Sequence, residues 1–477
     1  MHLSFTQRMR RLTTGGVVLA MALLSSLVLD TGSATAVDDR SVRLVETARD
    51  GRPNILIIVT DDQRPDTMEF MPRTDRLFGR NGVRYTRAFA STPLCCPFRA
   101  SLMTGQYAHN SNVRTNEDVA NLNHEHTMQR YLYEAGYTTA LLGKYLNGWP
   151  RENPPPYFER FAVGTGYAER PFNVDGTIRT ITKYIPRYLG RRASTLLREW
   201  EQDDDKPWLM VLTPSTPHVP ATPDPRHVDL RIPRWEGNPA TFEEDLSDKP
   251  QMLYPNNTSD GVTAHPQRNA YARFARSLLG GDDLVAKVFQ TMRDLDEDHN
   301  TLAFFMSDSG YLLGEHGLRR KRFPHPMSAQ IPFYMRWPAG EIPTGVVDGR
   351  LVAGIDILPT VLEAAGLEEA SGHTIDGRSL RTTAPRDRLL LEHFAESRRA
   401  VPNWASLVTG AEQYTEYYEA DGTTLAFREY YDAVNDPWQL TNTLGDGDPL
   451  NDPAPPTLAR LQRQLDLDRN CAGSDCP

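Results

Sequence analysis

Apolar residues along this 477-residue chain gather in short runs separated by polar segments and prolines. Ile55-Leu56-Ile57-Ile58-Val59 is continuous and rich in β-branched residues, the pattern of a strand buried on both faces. Runs at 208–213, 301–306 and 331–337 predict further strands, and a shorter one is expected at 138–142. Helical spacing recurs at 74–81, 128–135, 188–200 and 270–294, with Gly136 as a stop after the second. Residues 153–157 read as a proline loop and 242–250 as a polar excursion. Beyond 376–380 the pattern changes. Segments 404–409, 414–418 and 424–430 alternate as antiparallel strands do, and a last helix is expected from about 456 to 467. No internal repeat is visible.

Several predicted strands deliver charged residues at their ends. Asp61 and Asp62 follow the 55–59 run, Asp308 follows 301–306, and Lys144 follows 138–142. The C-terminal ends of strands are where open α/β sheets place their ligands. Adjacent carboxylates repel unless a cation lies between them, which favours a hard metal with oxygen ligands; an isolated Asp-Asp is more often a surface turn. After the 208–213 run, prolines on both sides stiffen the loop that presents His218.

The N-terminus changes the picture of where the chain works. Arg8, Arg10 and Arg11 precede an apolar run at 15–29 and then Ala34-Thr35-Ala36, which predicts a secretory signal over 1–36 and a flexible lead-in over 37–52. The run is too short and too rich in Gly and Ser for a retained anchor, and no other stretch is long enough to span a bilayer. The expected location is therefore extracellular, by either general or twin-arginine export. The net charge of −10 argues against nucleic acid as a partner. An anionic substrate would need a local basic pocket, and Arg319-Arg320-Lys321-Arg322 is such a cluster.

The chain has four cysteines. Cys95 and Cys96 are adjacent, so a disulfide between them would be strained and would close no useful loop. Metal-knuckle spacing is absent. That leaves a reactive site or a small packed pair of thiols. Pro97 suits the entry to a helix beginning near Arg99, which would put Cys95 at a helix N-terminus, where the dipole favours developing negative charge. Cys471 and Cys476 either close a small loop, which export would permit, or stay free in a frayed tail.

The order Cys95-x-Pro97-x-Arg99, with Thr104-Gly105 after a short apolar run, resembles the signature of type I sulfatases, though Phe98 stands where serine is usual. In that family the first cysteine is oxidised to formylglycine (3-oxoalanine), whose hydrate attacks a sulfate ester. Asp61-Asp62-Gln63 is similar to the first metal-binding segment of these enzymes. Ser307-Asp308-Ser309-Gly310 is similar to the second, with Ser309 in place of asparagine. Pro217-His218-Val219-Pro220 and Gly314-Glu315-His316 match two further elements, and Lys321 falls where the family holds a sulfate-binding lysine. His325-Pro326-Met327 departs from the usual acidic residues. Segment 355–362 resembles the helix that closes the large domain. Residues 107–116 and Lys144-Tyr145-Leu146-Asn147 look like the N-acetylglucosamine-6-sulfatase branch. For His109 the residues themselves favour a packed, hydrogen-bonded imidazole.

The resemblance implies an α/β alkaline-phosphatase-like sandwich with a central mixed, mostly parallel sheet. On this reading the catalytic domain spans 53–380, a small α+β C-terminal subdomain spans 381–470, and 471–477 is a tail. It implies calcium (Ca2+) held by Asp61, Asp62, Asp308, Ser309 and the modified Cys95. Arg99 would stabilise the deprotonated hydrate. Lys144, Lys321 and His218 would neutralise the sulfate, and His218 or Lys321 would protonate the leaving oxygen, with Asn147 and His316 as substrate contacts. The implied partners are a sulfated glycan, or another small sulfate ester, and a formylglycine-generating enzyme. Two rivals remain open from sequence: a phosphoester or phosphonate hydrolase on the same scaffold, and a non-catalytic glycan-binding relative.

Overall fold

A computed structural model describes residues 51–203, 206–254, 265–368 and 372–477. The predicted export segment, most of the predicted lead-in and Asp204-Asp205 of the acidic turn lie outside the described residues. Strands are β1 (Asn54–Thr60), β2 (Val83–Phe89), β3 (Thr138–Gly143), β4 (Arg160–Val163), β5 (Arg170–Val174), β6 (Thr177–Ile181), β7 (Trp208–Thr213), β8 (Thr301–Ser307), β9 (Leu312–Leu313), β10 (Arg319–Arg320), β11 (Phe333–Arg336), β12 (Val346–Ala353), β13 (Arg388–His393), β14 (Asn403–Thr409), β15 (Glu412–Tyr418) and β16 (Leu425–Asp432). Helices are α1 (Pro72–Gly79), α2 (Cys95–Thr104), α3 (Ala108–Ser111), α4 (Met128–Glu134), α5 (Ile185–Trp200), α6 (Arg268–Asp294), α7 (Pro326–Ala329), α8 (Ile357–Ala365) and α9 (Pro455–Asp468).

The ten-stranded sheet has the order β12-β2-β11-β8-β1-β7-β3-β4-β5-β6. Its middle strands, β8, β1, β7, β3 and β4, run parallel, and antiparallel pairs flank them. β1 is buried along its whole length, as its unbroken apolar run requires. Successive side chains of β1 point to opposite faces. Ile55, Ile57 and Val59 pack with α2, α4 and α8. Leu56 and Ile58 pack with α1, α5 and α6 on the other face. This is the α/β sandwich that the resemblance implied. A separate antiparallel sheet, β13-β14-β15-β16, packs with α9 in a third core.

One expected boundary is corrected. Helix α2 begins at Cys95, ahead of the start near Arg99 that Pro97 suggested. Proline lacks an N–H, but the first helical residues have no intrahelical acceptor, so Pro97 is tolerated inside the first turn. The Phe98 N–H then closes that turn on the Leu94 carbonyl at 3.0 Å. At the other end Gly105 takes φ 67°, a left-handed C-cap.

Candidate active site

Parallel strands bring their C-terminal ends to one edge of the sheet, and the charged residues follow from that topology. Thr60 of β1 pairs with Ser307 of β8, so Asp61 and Asp308 emerge side by side. Lys144 leaves β3 beside β7, and its N–H bonds the Thr213 carbonyl at 2.9 Å. The loop after β7 returns to Asp61, whose N–H bonds the Thr216 carbonyl at 2.9 Å. Helix α2 then sets Cys95 at its first turn, over these strand ends.

Asp61, Asp62, Cys95 and Asp308 are all buried, and one ligand atom from each lies within 4.8 Å of the others. Lys321 Nζ donates to Cys95 Sγ at 2.9 Å and is paired with Asp62. Lys144 Nζ lies 2.8 Å from Asp61 Oδ2. Arg99 grips Asp308 Oδ2 through Nε and Nη2 at 3.0 and 2.9 Å, and donates to the Lys144 carbonyl at 2.8 Å. Its guanidinium thus fixes one carboxylate of the cluster. Ser309 Oγ donates to Asp62 Oδ1 at 3.1 Å, while the Asp62 N–H bonds Asp308 Oδ1 at 3.1 Å. Asp62 sits at φ 66°, a left-handed backbone that non-glycine residues adopt at some cost and that functional sites often retain. His218 is the open side of the pocket: its Nε2 lies 3.7 Å from Asp62 Oδ2 with the side chain 37% exposed, and its Nδ1 bonds the Val219 carbonyl at 2.7 Å.

Burial would raise the Asp61 carboxyl, but Lys144, His218, Lys321 and Arg99 outweigh it and hold the group below the usual carboxylate range. Asp308 goes the other way, pushed up by burial and then by the Asp61 charge. Burial works against the Lys321 ammonium, yet Asp62 and its neighbours raise it. Lys144 is raised in the same manner, chiefly by Asp61. Burial pushes the Cys95 thiol up to about 11 in spite of both lysines. An unmodified thiol here is therefore a poor nucleophile near neutrality.

The oxygen donors fit a hard divalent cation. Calcium–oxygen distances of about 2.3–2.6 Å allow ligands on opposite sides of one ion to stand about 4.6–5.2 Å apart, and the cluster lies within that span.

The two cysteines part company. Cys96 points into the core, takes a 3.0 Å hydrogen bond from the Asn147 N–H, and gives its own N–H to Asn116 Oδ1 at 3.0 Å. Asn147 thus touches the packed thiol through its backbone, beside the pocket. His316 is buried elsewhere: its Nδ1 bonds Glu243 Oε2 at 2.6 Å and its ring lies 4.3 Å from that of His325. Cys471 and Cys476 are joined in a disulfide with Cα atoms 5.0 Å apart. The sequence assigned no role to Asn116 or to the Glu243 and Lys249 carboxylate–amine pair, 3.0 Å apart, although Asn116 closes a segment that resembles the N-acetylglucosamine-6-sulfatase branch. Asn116 and Glu243 find their partners, Cys96 and His316, only through the fold.

A family model described as Sulfatase matches residues 53–367, and a second, described as N-sulphoglucosamine sulphohydrolase, C-terminal, matches residues 314–464. The chain belongs to the sulfatase family. This sulfatase is 29% identical over 418 residues to the extracellular sulfatase SULF-1 homologue of Drosophila melanogaster; the match takes in 81% of the chain but spans only 36% of that relative's length. It is 26% identical over 484 residues to the N-acetylglucosamine-6-sulfatase of Homo sapiens, covering 89% of this chain and 86% of that one. A protein solved in complex with its substrate D-glucosamine-2-N,6-O-disulfate shares the fold, with a TM-score of 0.69 at 22% identity, covering 87% of this chain and 97% of its own.

Proposed function

We propose that this chain is a secreted sulfuric ester hydrolase that removes the 6-O-sulfate of N-acetylglucosamine in glycans. The observation that carries the reading is the buried pocket in which residue 95 meets three aspartates and two lysine ammoniums at the ends of parallel strands. Relatives named N-acetylglucosamine-6-sulfatase support the sugar, and the extracellular relative supports secretion. Among the described residues no helix is long and apolar enough to cross a membrane. Oxidation of Cys95 to formylglycine by a maturation enzyme would supply a hydrated aldehyde as nucleophile, and calcium on Asp61, Asp62, Asp308 and Ser309 would supply charge neutralisation.

The chain's own residues divide the remaining work. Asp61, Asp62 and Asp308 are matched one for one by Lys144, Lys321 and Arg99, so the protein part of the pocket is close to neutral. With a divalent ion held by these aspartates the pocket would be cationic, which would suit a singly charged sulfate monoester. Lys321, seated between residue 95 and Asp62, orients the nucleophile and meets a sulfate oxygen as charge grows. Lys144 provides a second ammonium from the β3 side. With His218 Nδ1–H given to the Val219 carbonyl, Nε2 faces the pocket as the proton carrier for the departing sugar oxygen. Arg99 holds Asp308 in register. Asn147, beside the Cys96 thiol, is kept as a sugar contact, whereas His316 is buried against Glu243 and His325 and takes no part in substrate binding.

The test is sulfate release by one preparation from N-acetylglucosamine 6-sulfate, from a simple aryl sulfate, and from the matching phosphate monoester. The reading expects the first to be turned over and the sulfate preferred to the phosphate. Turnover of aryl sulfate with 6-sulfated glucosamine untouched contradicts the substrate. Preference for phosphate contradicts the reaction.

A further inference from the structure

On the helical layer across the sheet from α2, a cavity of about 470 Å³ opens between α5, α6 and neighbouring loops. Its described lining includes Arg73, Arg187, Arg191, Arg226 and Lys287, with Asp283 the one acid among them. Such a concentration of cations stands out in a chain of net charge −10. The local sequence explains how it forms. Arg187 and Arg191 lie one turn apart on α5, and Asp283 and Lys287 one turn apart on α6, so each pair shares a helix face. Gly190 of α5 faces Leu284 of α6, where an added Cβ would make an ordinary contact at 3.4 Å.

Three of the guanidiniums are pinned. Arg73 Nε bonds Asp282 at 2.9 Å, Arg187 Nε bonds Asp224 at 3.2 Å, and Arg226 bridges Asp224 at 3.0 Å and Asp283 at 2.5 Å. Arg191 and Lys287 are exposed and have no carboxylate partner among the described residues. Five cations therefore face three carboxylates. Like charges one turn apart oppose helix stability unless something answers them. Arginines held by carboxylates are pre-oriented donors for oxyanions, and the volume lies in the usual range for a ligand site.

We propose that this cavity is a second binding site for sulfated glycan, separate from the carboxylate pocket, that captures polymeric substrate through its sulfate groups. The proposal rests on the glycan reading above for the identity of the polyanion. A polymer carrying many sulfates can engage such a site and the catalytic pocket in turn, which raises its effective concentration at the enzyme.

The experiment titrates a heparin-derived octasaccharide calorimetrically into the full-length Cys95→Ala protein, with and without the paired changes Arg191→Gln and Lys287→Gln. Both positions are exposed and glutamine is a good helix former, so the fold is kept. The pair is expected to weaken octasaccharide binding about 10-fold, with the difference shrinking as salt is raised. In the otherwise unaltered enzyme the same pair raises KM for polymeric sulfated substrate and leaves turnover of a small aryl sulfate unchanged. Octasaccharide affinity unmoved by the pair overturns the site, as does equal competition by a DNA oligonucleotide of the same charge. If the unaltered enzyme turns over no sulfate ester at all, the catalytic reading fails while the calorimetry still decides the site.

Discussion

Lys321 Nζ touches both Cys95 Sγ, at 2.9 Å, and Asp62, so one ammonium would serve both the proposed nucleophile and a proposed metal ligand. Charge on a sulfate oxygen grows towards the transition state, so a sulfate contact with this ammonium, as proposed, would strengthen as the reaction proceeds. Lys321→Ala is expected to lower kcat by roughly 100- to 1,000-fold while KM moves far less, read by steady-state kinetics on an aryl sulfate. Ser309 offers a hydroxyl at 3.1 Å from Asp62 Oδ1. Ser309→Ala removes that oxygen and is expected to weaken calcium about 10-fold, measured by competition with a chelating dye; unchanged affinity would remove Ser309 from the metal's surroundings. Asp61, Asp62, Lys144 and Asp308 were legible in the sequence because each is a charged residue directly after an apolar strand. Asn116 was not, since its partner Cys96 stands 20 positions earlier and only the fold joins them. His109 was read as a packed, hydrogen-bonded imidazole and is found so, between Glu392 at 2.9 Å and the Cys471 carbonyl at 3.0 Å.

At the scale of elements, α2 explains Phe98, the residue that departs from the family signature. Its ring is fully buried against Gly354, where an added Cβ would come within 2.6 Å of Phe98 Cε2. Phe98 is therefore packing for the helix that carries Cys95 and leaves Cys95, Pro97 and Arg99 in place. Phe98→Ala is expected to cost about 3–5 kcal/mol of stability, measured by denaturant unfolding; a change under about 1 kcal/mol would contradict a core role. Strands β1, β7 and β8 were visible as unbroken apolar runs. β6 was not, because four of its five residues are exposed and only Ile181 is buried. β2 carries a short buried–exposed alternation broken by arginines, and β13 shows only three leucines between charged residues. Their strand character comes from neighbours in the sheets, a tertiary effect that propensity does not record.

At the scale of the molecule, His109 ties the 107–116 segment to the C-terminal part of the chain, through Glu392 and Cys471. Both its ring nitrogens face acceptors, so both carry protons. Burial alone would lower the imidazolium, but the Glu392 charge outweighs it and raises the group to about 9 from 6.5. A folded value above the unfolded one means that the contribution is full below about pH 6.5 and is lost as pH rises through 9, for a total of about 3 kcal/mol. The unfolding midpoint should fall across that window in the native protein and stay flatter in His109→Gln. Calcium should add about 2.7 kcal/mol of stability at a hundredfold excess over Kd, raising the midpoint, and chelation should reverse it.

The account turns on residue 95, whose thiol is buried and held in its unreactive form. The most direct measurement is the mass of the peptide spanning residue 95, taken from active protein made in a host that has the maturation enzyme. The account predicts sulfur replaced by oxygen with the loss of two hydrogens, the change from cysteine to formylglycine. An intact cysteine in a preparation that still releases sulfate would contradict it.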